Sequence, residues 1–94
     1  MAAINPDVVR IFEQTAQLLE ITGGNRFRVN AFQRAAQAVD RLATDLADMD
    51  HDDIVAVDGL GEGMAKRIEQ FKEDGTIDEH RDLMEQVPTG LLEL

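Results

Sequence analysis

The chain has 94 residues, of which 44% are hydrophobic and only 4% aromatic, and it contains no cysteine. This length fits a single domain with a thin core. The missing cysteines exclude disulfides and thiolate metal sites and fit a reducing cytoplasm, and no stretch is apolar enough to span a membrane. The formal net charge of −10 excludes a generally basic surface, so any binding of phosphate groups must rest on a local site.

The first half of the chain predicts two helices. Asn5-Pro6-Asp7 is a strong helix start with Asn5 as the predicted cap, and Gly23-Gly24 ends this helix. Apolar residues recur every three or four positions between these points, at Val8, Phe12, Ala16 and Leu19. The second helix is predicted from Arg28 to Leu42, with its apolar stripe at Phe32, Ala35, Ala36, Val39 and Leu42.

A short third helix is predicted next, capped at Thr44-Asp45 and carrying Leu46 and Met49. An acidic linker follows from Asp48 to Asp53. The apolar run Ile54–Val57 is interpreted as a helical turn, because the chain offers no second strand that could pair with it.

The last two predicted helices run from Glu62 to Lys72 and onward from Thr76 or Asp78. The inward positions of the fifth helix are Leu83, Met84 and Val87, and Pro88 closes it. The predicted fold is therefore all-α, with four to five short packed helices in one domain over residues 1–94.

The most informative segment is a hydrophobic-x-Gly-hydrophobic-Gly pattern between two predicted helices, Val57-Asp58-Gly59-Leu60-Gly61, followed by Gly63. This pattern is typical of a helix-hairpin-helix motif. Glycines allow the positive φ values of a tight turn, and the free amides of the helix that follows form an anion site. A phosphodiester would fit such a site without base contacts. The alternative is a plain glycine-rich connection, whereas nucleotide-binding glycine motifs fail on spacing.

A second candidate is the cationic start of the second helix. Arg26 and Arg28, together with helix amides, would form a phosphate pocket. The alternative, equally compatible with the residues, is a pair of solvated arginines that bind Glu20 or another carboxylate.

Metal sites in the acidic linker are not expected. Its aspartates have the 1-3-5 spacing of a calcium loop, but Asp53 and Gly59 occupy the positions that require glycine and glutamate. His51 and His80 each lack a potential ligand four residues further along the chain.

Three stretches, taken in order, carry a resemblance to a known family. They are Leu18–Ala36 with Asn25-Arg26-Phe27-Arg28 inside it, the hairpin Gly59–Gly63, and Val87–Leu92. Together they resemble the amino-terminal domain of family X DNA polymerases of the bacterial and archaeal type, which is similar to the lyase domain of DNA polymerase beta. The resemblance covers nearly the whole chain, and we expect the chain to be a fragment of a longer polymerase.

The resemblance implies a non-sequence-specific module of a repair polymerase that binds gapped or nicked DNA carrying a 5′-phosphate. The implied contacts to the DNA backbone are Gly59, Leu60, Gly61, Gly63, Lys66 and Arg67, and the implied 5′-phosphate pocket is Arg26, Arg28, Phe32 and Arg34. A Na⁺ or K⁺ ion would bind the backbone carbonyls of Val55, Val57 and Leu60. The domain would be a monomer that docks on its own polymerase core in a bacterial or archaeal cytoplasm, associated with the nucleoid.

Two other functions remain open. Some family members remove a 5′-deoxyribose phosphate through a lysine Schiff base, but Arg67 stands where that lysine would be, and a guanidinium cannot form the imine. Lys66 is the remaining candidate nucleophile. The third function is a protein-interaction module, suggested by the acidic composition and by the apolar residues Leu91, Leu92 and Leu94 at the end of the chain.

Overall fold

The computed structural model describes residues 3–86, which form five α-helices and one 3₁₀ turn and contain no strand. The helices are α1 (Asn5–Ile21), α2 (Arg26–Asp40), α3 (His51–Val55), α4 (Gly61–Asp74) and α5 (Asp78–Gln86), and the 3₁₀ turn is Leu46–Asp48. The all-α prediction is confirmed. The predicted roles of Val87, Pro88, Leu91, Leu92 and Leu94 lie outside the described residues.

The helices α1 and α2 form the base of the domain. A short turn joins them, so they pack against each other as antiparallel neighbours. At their centre the rings of Phe12 and Phe32 meet edge to face, with centroids 5.6 Å apart and planes at 69°. The alanines Ala35 and Ala36 are buried beside them, and their small side chains let neighbouring helices approach closely.

The other elements complete the same core. Leu46 of the 3₁₀ turn, Ile54 of α3 and Ile68 of α4 are fully buried, and α5 packs on α1 through a face that includes the buried Leu83. Among residues 3–86, none of the helices has both the length and the apolar character that a membrane crossing requires.

The start of α1 is capped from a distant part of the chain. The Asp45 carboxylate accepts hydrogen bonds from the amides of Ile4 (2.9 Å) and Asn5 (3.2 Å), and also from the amide of Ala47 (2.9 Å). Asn5 returns the contact, since its side-chain oxygen accepts from the amide of Leu46 at 2.8 Å. The prediction that Asn5 caps its own helix is therefore wrong: Asn5 is the first helical residue, and it caps the 3₁₀ turn instead.

Several helix boundaries also differ from the prediction. The second helix begins at Arg26 rather than Arg28, because the side chain of Asn25 caps it by accepting from the amide of Phe27 at 2.6 Å. It ends at Asp40, before Leu42.

The acidic segment is not a linker. Asp50 accepts from the amide of Asp53 at 2.9 Å and so caps α3. Met84 of α5 is exposed rather than inward, while its neighbour Leu83 is buried.

We predict that Asp45→Ala lowers the free energy of unfolding by about 1–2 kcal/mol, because three amides lose their acceptor. Burial raises the pKa of the Asp45 carboxyl, but hydrogen bonds from the Ala47, Asn5 and Ile4 amides, together with the charge of Lys72, outweigh burial and leave the pKa below its ordinary value of 3.8. The loss should therefore be complete above pH 3.8 and shrink as the pH falls through the lowered pKa. Urea unfolding of the wild type and Asp45→Ala as a function of pH measures this loss of stability.

The control is Asp48→Ala, which removes an exposed carboxylate three residues further along the chain. An equal loss of stability in both variants would show that the Asp45 cap is not the source of the effect.

Candidate nucleic-acid interface

The hairpin turn between α3 and α4 rests on α2. Gly59 and Gly61 have φ values of +97° and +64°, in the left-handed region that favours glycine. A Cβ atom on Gly59 would lie 3.2 Å from the Cβ of Ala38 and 3.6 Å from the Cγ of Arg34. The bare backbone of the turn is therefore packed closely on α2, directly beside the stem of Arg34.

The first turn of α4 presents backbone amides to solvent. Leu60 precedes the helix and offers no side-chain acceptor, whereas Asn25 and Asp50 cap α2 and α3 with theirs. Gly61 and Gly63 are exposed, and amides in the first turn of a helix have no partner within the helix. This end of α4 can accordingly hold an anion, and the helix dipole favours one.

Leu60, one of the DNA-backbone contacts that the resemblance implied, is packed into the turn. Its side chain is buried, and its amide donates to the carbonyl of Val57 at 3.1 Å within the turn. Leu60 anchors the hairpin, and the amides available to an anion belong to the residues after it.

The three arginines of α2 are exposed but are distributed over the helix. Arg34 lies at the hairpin turn, whereas Arg26 lies eight residues earlier, about 12 Å away along the axis. Arg26 and Arg28 are two residues apart, so they stand about 200° apart around the helix. The structure thus joins Arg34 to the hairpin and leaves Arg26 and Arg28 on opposite sides of the other end of α2.

Phe32 and Arg67 form an internal cluster. Phe32 is only 1% exposed, so its ring belongs to the core, and the guanidinium carbon of Arg67 lies 5.3 Å from the centre of that ring. Arg67 donates from Nε to Glu79 Oε2 at 2.7 Å, pairs with the same carboxylate through Nη2, and donates from Nη1 to the carbonyl of Gly63 at 3.0 Å. These contacts tie α4 to α2 and α5.

The two lysines of α4 have different surroundings. Lys66 is exposed and follows Glu62 by four residues, so the two side chains share one face of the helix. Lys72 donates from Nζ to the carbonyl of Met49 at 2.8 Å and so links α4 to the segment before α3.

His51 is a feature that the sequence pattern did not indicate. Its Nε2 atom lies 2.9 Å from Glu62 Oε1, and its Nδ1 atom lies 3.2 Å from Glu69 Oε2. The hydrogen bond to Glu62 is the largest influence on the pKa of His51 and raises it above its ordinary value of 6.5. Burial, the next largest, lowers the pKa, and the charges of both glutamates together with the hydrogen bond to Glu69 keep the net shift upward. The partners lie 11 and 18 residues away, so only the crossing of the hairpin helices brings them together.

A second such feature is Phe27, which is 83% exposed between Arg26 and Arg28. An aromatic ring in this position is available to an external partner. The sequence showed the Asn25-Arg26-Phe27-Arg28 motif, but the exposure of the Phe27 ring follows from the way α2 packs.

The cation site at Val55, Val57 and Leu60 stays a prediction. The Val57 carbonyl accepts a hydrogen bond from the Leu60 amide and keeps a second lone pair. Its oxygen is therefore a ligand of the type that suits a monovalent cation. Within residues 3–86, no group of three or more histidine, aspartate or glutamate side chains is arranged to hold a metal ion.

Residues 3–77 match the helix-hairpin-helix domain family. The chain belongs to this family. The domain is also 33% identical over 88 residues to the DNA polymerase/3′-5′ exonuclease PolX of Bacillus subtilis (strain 168). The matched residues make up 94% of this chain. This similarity confirms the resemblance to family X DNA polymerases. The chain spans 15% of the length of that relative.

We predict that Gly59→Ala destabilises this helix-hairpin-helix domain more than Gly61→Ala does. Both substitutions place a side chain at positive φ, at a cost of about 1 kcal/mol each. Only the methyl at position 59 also meets Ala38, since the space around Gly61 is open, and this overlap should add about 1–3 kcal/mol. Chemical denaturation of the two variants measures the difference, and equal losses would mean that the turn is not packed on α2.

Proposed function

We propose that this domain binds the sugar-phosphate backbone of DNA without base specificity, as a module of a family X-like polymerase. The observation that carries the proposal is the uncapped, exposed start of α4, which follows a turn packed beside the stem of Arg34. Amides of the Gly61–Gly63 segment would hold one phosphate, and the guanidinium of Arg34 would reach the same phosphate or its neighbour. The similarity to a protein named a DNA polymerase supports DNA as the ligand.

The second part of the proposal concerns the 5′-phosphate at a gap or nick. Arg28 is exposed at the start of α2, where the positive end of the helix dipole adds to the attraction for a phosphate. Phe27 beside it offers a face for stacking an unpaired base. Arg26 points to the other side of the helix, so we assign it to long-range attraction.

The affinity of the isolated domain should be modest. The net charge of −10 opposes a polyanion, and Asp58 and Glu62 flank the proposed site in the chain. Arg67 is held by Glu79, so we expect it to act by positioning α4 rather than by contacting phosphate.

The test of DNA binding measures the affinity of the domain for a short gapped duplex with a 5′-phosphate, by fluorescence anisotropy over a salt series. Arg34→Ala should weaken binding about tenfold, which corresponds to the loss of one charge-assisted hydrogen bond. The slope of the logarithm of the binding constant against the logarithm of the salt concentration should become shallower by about one, the share of one phosphate contact. Arg28→Ala should weaken binding to the phosphorylated duplex and have little effect on the 5′-hydroxyl duplex.

The matched control is Arg10→Ala, which removes the same charge from α1, where Arg10 lies near Asp7. It should change the affinity less than about twofold, as expected for a distant exposed charge. A complete lack of binding at low salt, a flat salt response, or an equal effect of Arg10→Ala and Arg34→Ala would each contradict the proposal.

We further propose that the domain does not act as a 5′-deoxyribose-phosphate lyase. Arg67 replaces the Schiff-base lysine and is fixed by Glu79 and the Gly63 carbonyl over the Phe32 ring. Lys66 is an exposed lysine, one residue and about 100° around the helix from Arg67, so its amine projects away from the position that the Schiff-base lysine would take.

Borohydride reduction in the presence of preincised abasic DNA tests this assignment. We expect no covalent adduct above that formed by an unrelated lysine-containing protein, and no change in Lys66→Ala. An adduct that disappears in Lys66→Ala would establish lyase chemistry instead.

A further inference from the structure

The ring of His51 lies between two carboxylates. Its Nε2 atom faces Glu62 at 2.9 Å and its Nδ1 atom faces Glu69 at 3.2 Å. Both glutamates belong to α4, and His51 is the first residue of α3, so the imidazole bridges the two helices of the hairpin. The side chain of His51 is 33% exposed, which keeps its proton in exchange with solvent.

This geometry selects the charged form of the ring. An ionised carboxylate only accepts hydrogen bonds, and a neutral imidazole has a single N–H. One of the two glutamates would then face a nitrogen lone pair, which is repulsive. The imidazolium has two N–H groups and donates to both carboxylates at once, so the arrangement is satisfied only when both ring nitrogens of His51 are protonated.

The charges around the ring favour the same form. The charged residues on the two packed helices and their flanks are Glu62, Lys66, Arg67, Glu69, Lys72, Glu73 and Asp74 on α4, Asp50, Asp52 and Asp53 at the start of α3, and Asp58 in the turn between them. Lys72 is directed to the Met49 carbonyl and Arg67 to Glu79, and the carboxylates outnumber the three cations. The pKa of His51 is accordingly raised, with the hydrogen bond to Glu62 as the largest cause.

Glu62 connects this cluster to the proposed phosphate site. It lies between Gly61 and Gly63, whose amides open the start of α4, so its ionised carboxylate opposes a phosphate bound there. An imidazolium hydrogen-bonded to Glu62 offsets that charge, whereas a neutral ring does not.

We propose that His51 couples proton uptake to DNA binding at the hairpin: its cationic form neutralises Glu62, and its neutral form leaves Glu62 to repel the phosphate. The inference rests on the proposed function, because it requires a phosphate at the start of α4. Since proton binding and DNA binding favour each other, each must strengthen the other by the same factor. DNA affinity therefore falls as the pH rises through the raised pKa of His51.

The test is a pH series of DNA affinity at constant ionic strength, from about pH 6 to about pH 9, which brackets the titration of a histidine with a raised pKa. The wild-type affinity should fall about three- to tenfold over this range, as for one screened charge pair. His51→Gln should bind at every pH as weakly as the wild type at high pH. Glu62→Gln should bind more tightly at high pH and depend less on pH.

The matched control is His80→Gln. His80 is the other histidine of the chain and bonds to Gln14 on α1, at 3.0 Å between Nε2 and Oε1. This variant should keep the wild-type dependence of affinity on pH. Circular dichroism at each pH confirms that the variants remain folded, and Glu62→Gln provides the answer if His51→Gln does not fold.

The outcomes separate the two proposals. A domain that binds no DNA at any pH overturns the proposed function. A domain that binds DNA with the same pH dependence in the wild type, His51→Gln and Glu62→Gln overturns the role of His51 alone. NMR titration of the free domain adds an independent readout, because the His51 ring should titrate above pH 6.5 and at lower pH in Glu62→Gln. A His51 titration at or below 6.5 also overturns the inference.

Discussion

The close contact between the Gly59 turn and Ala38 is the constraint on which the candidate site depends. With only 3.2 Å between a Cβ at position 59 and the Ala38 methyl, the hairpin backbone lies against α2 with no intervening side chain. A Cβ at position 59 would also lie 3.6 Å from the Cγ of Arg34, and the helix that follows the turn holds Arg67 over the Phe32 ring. The interface and the core therefore share one helix, and a shift of α2 would disturb both.

The acidity of the chain has a structural component. Asp45 and Asp50 accept backbone amides at helix starts, Glu79 holds Arg67, and Glu62 and Glu69 flank His51. Each of these carboxylates fixes a helix end or a contact between helices, so they stabilise the fold. An acidic domain can still present phosphate-binding groups, because amides in the first turn of a helix attract anions through a fixed dipole, whatever the net charge.

Local patterns in the sequence predicted most of the fold. Apolar spacing located α1, α2, α4 and α5, and the glycine pattern located the hairpin, because these features arise from neighbouring residues. Features that depend on distant contacts were not predictable in this way. The cap of α1 comes from Asp45, 41 residues beyond Ile4, and the partners of His51 become neighbours only when α3 crosses α4. For the site, the sequence indicated the glycines and arginines, but not that Arg67 is engaged by Glu79 or that Arg26 and Arg28 diverge.

The reciprocal bonds between Asn5 and Asp45 have a consequence for local opening. Each residue supplies the acceptor for the other segment's leading amides, so fraying at either place leaves polar groups without partners at both. The beginning of α1 and the 3₁₀ turn should therefore exchange their amide hydrogens as one cooperative unit, although some 40 residues of chain separate them. In a chain still being synthesised, α1 can form as a helix early. The amides at its first turn gain their acceptor only after Asp45, which follows α2, has left the ribosome.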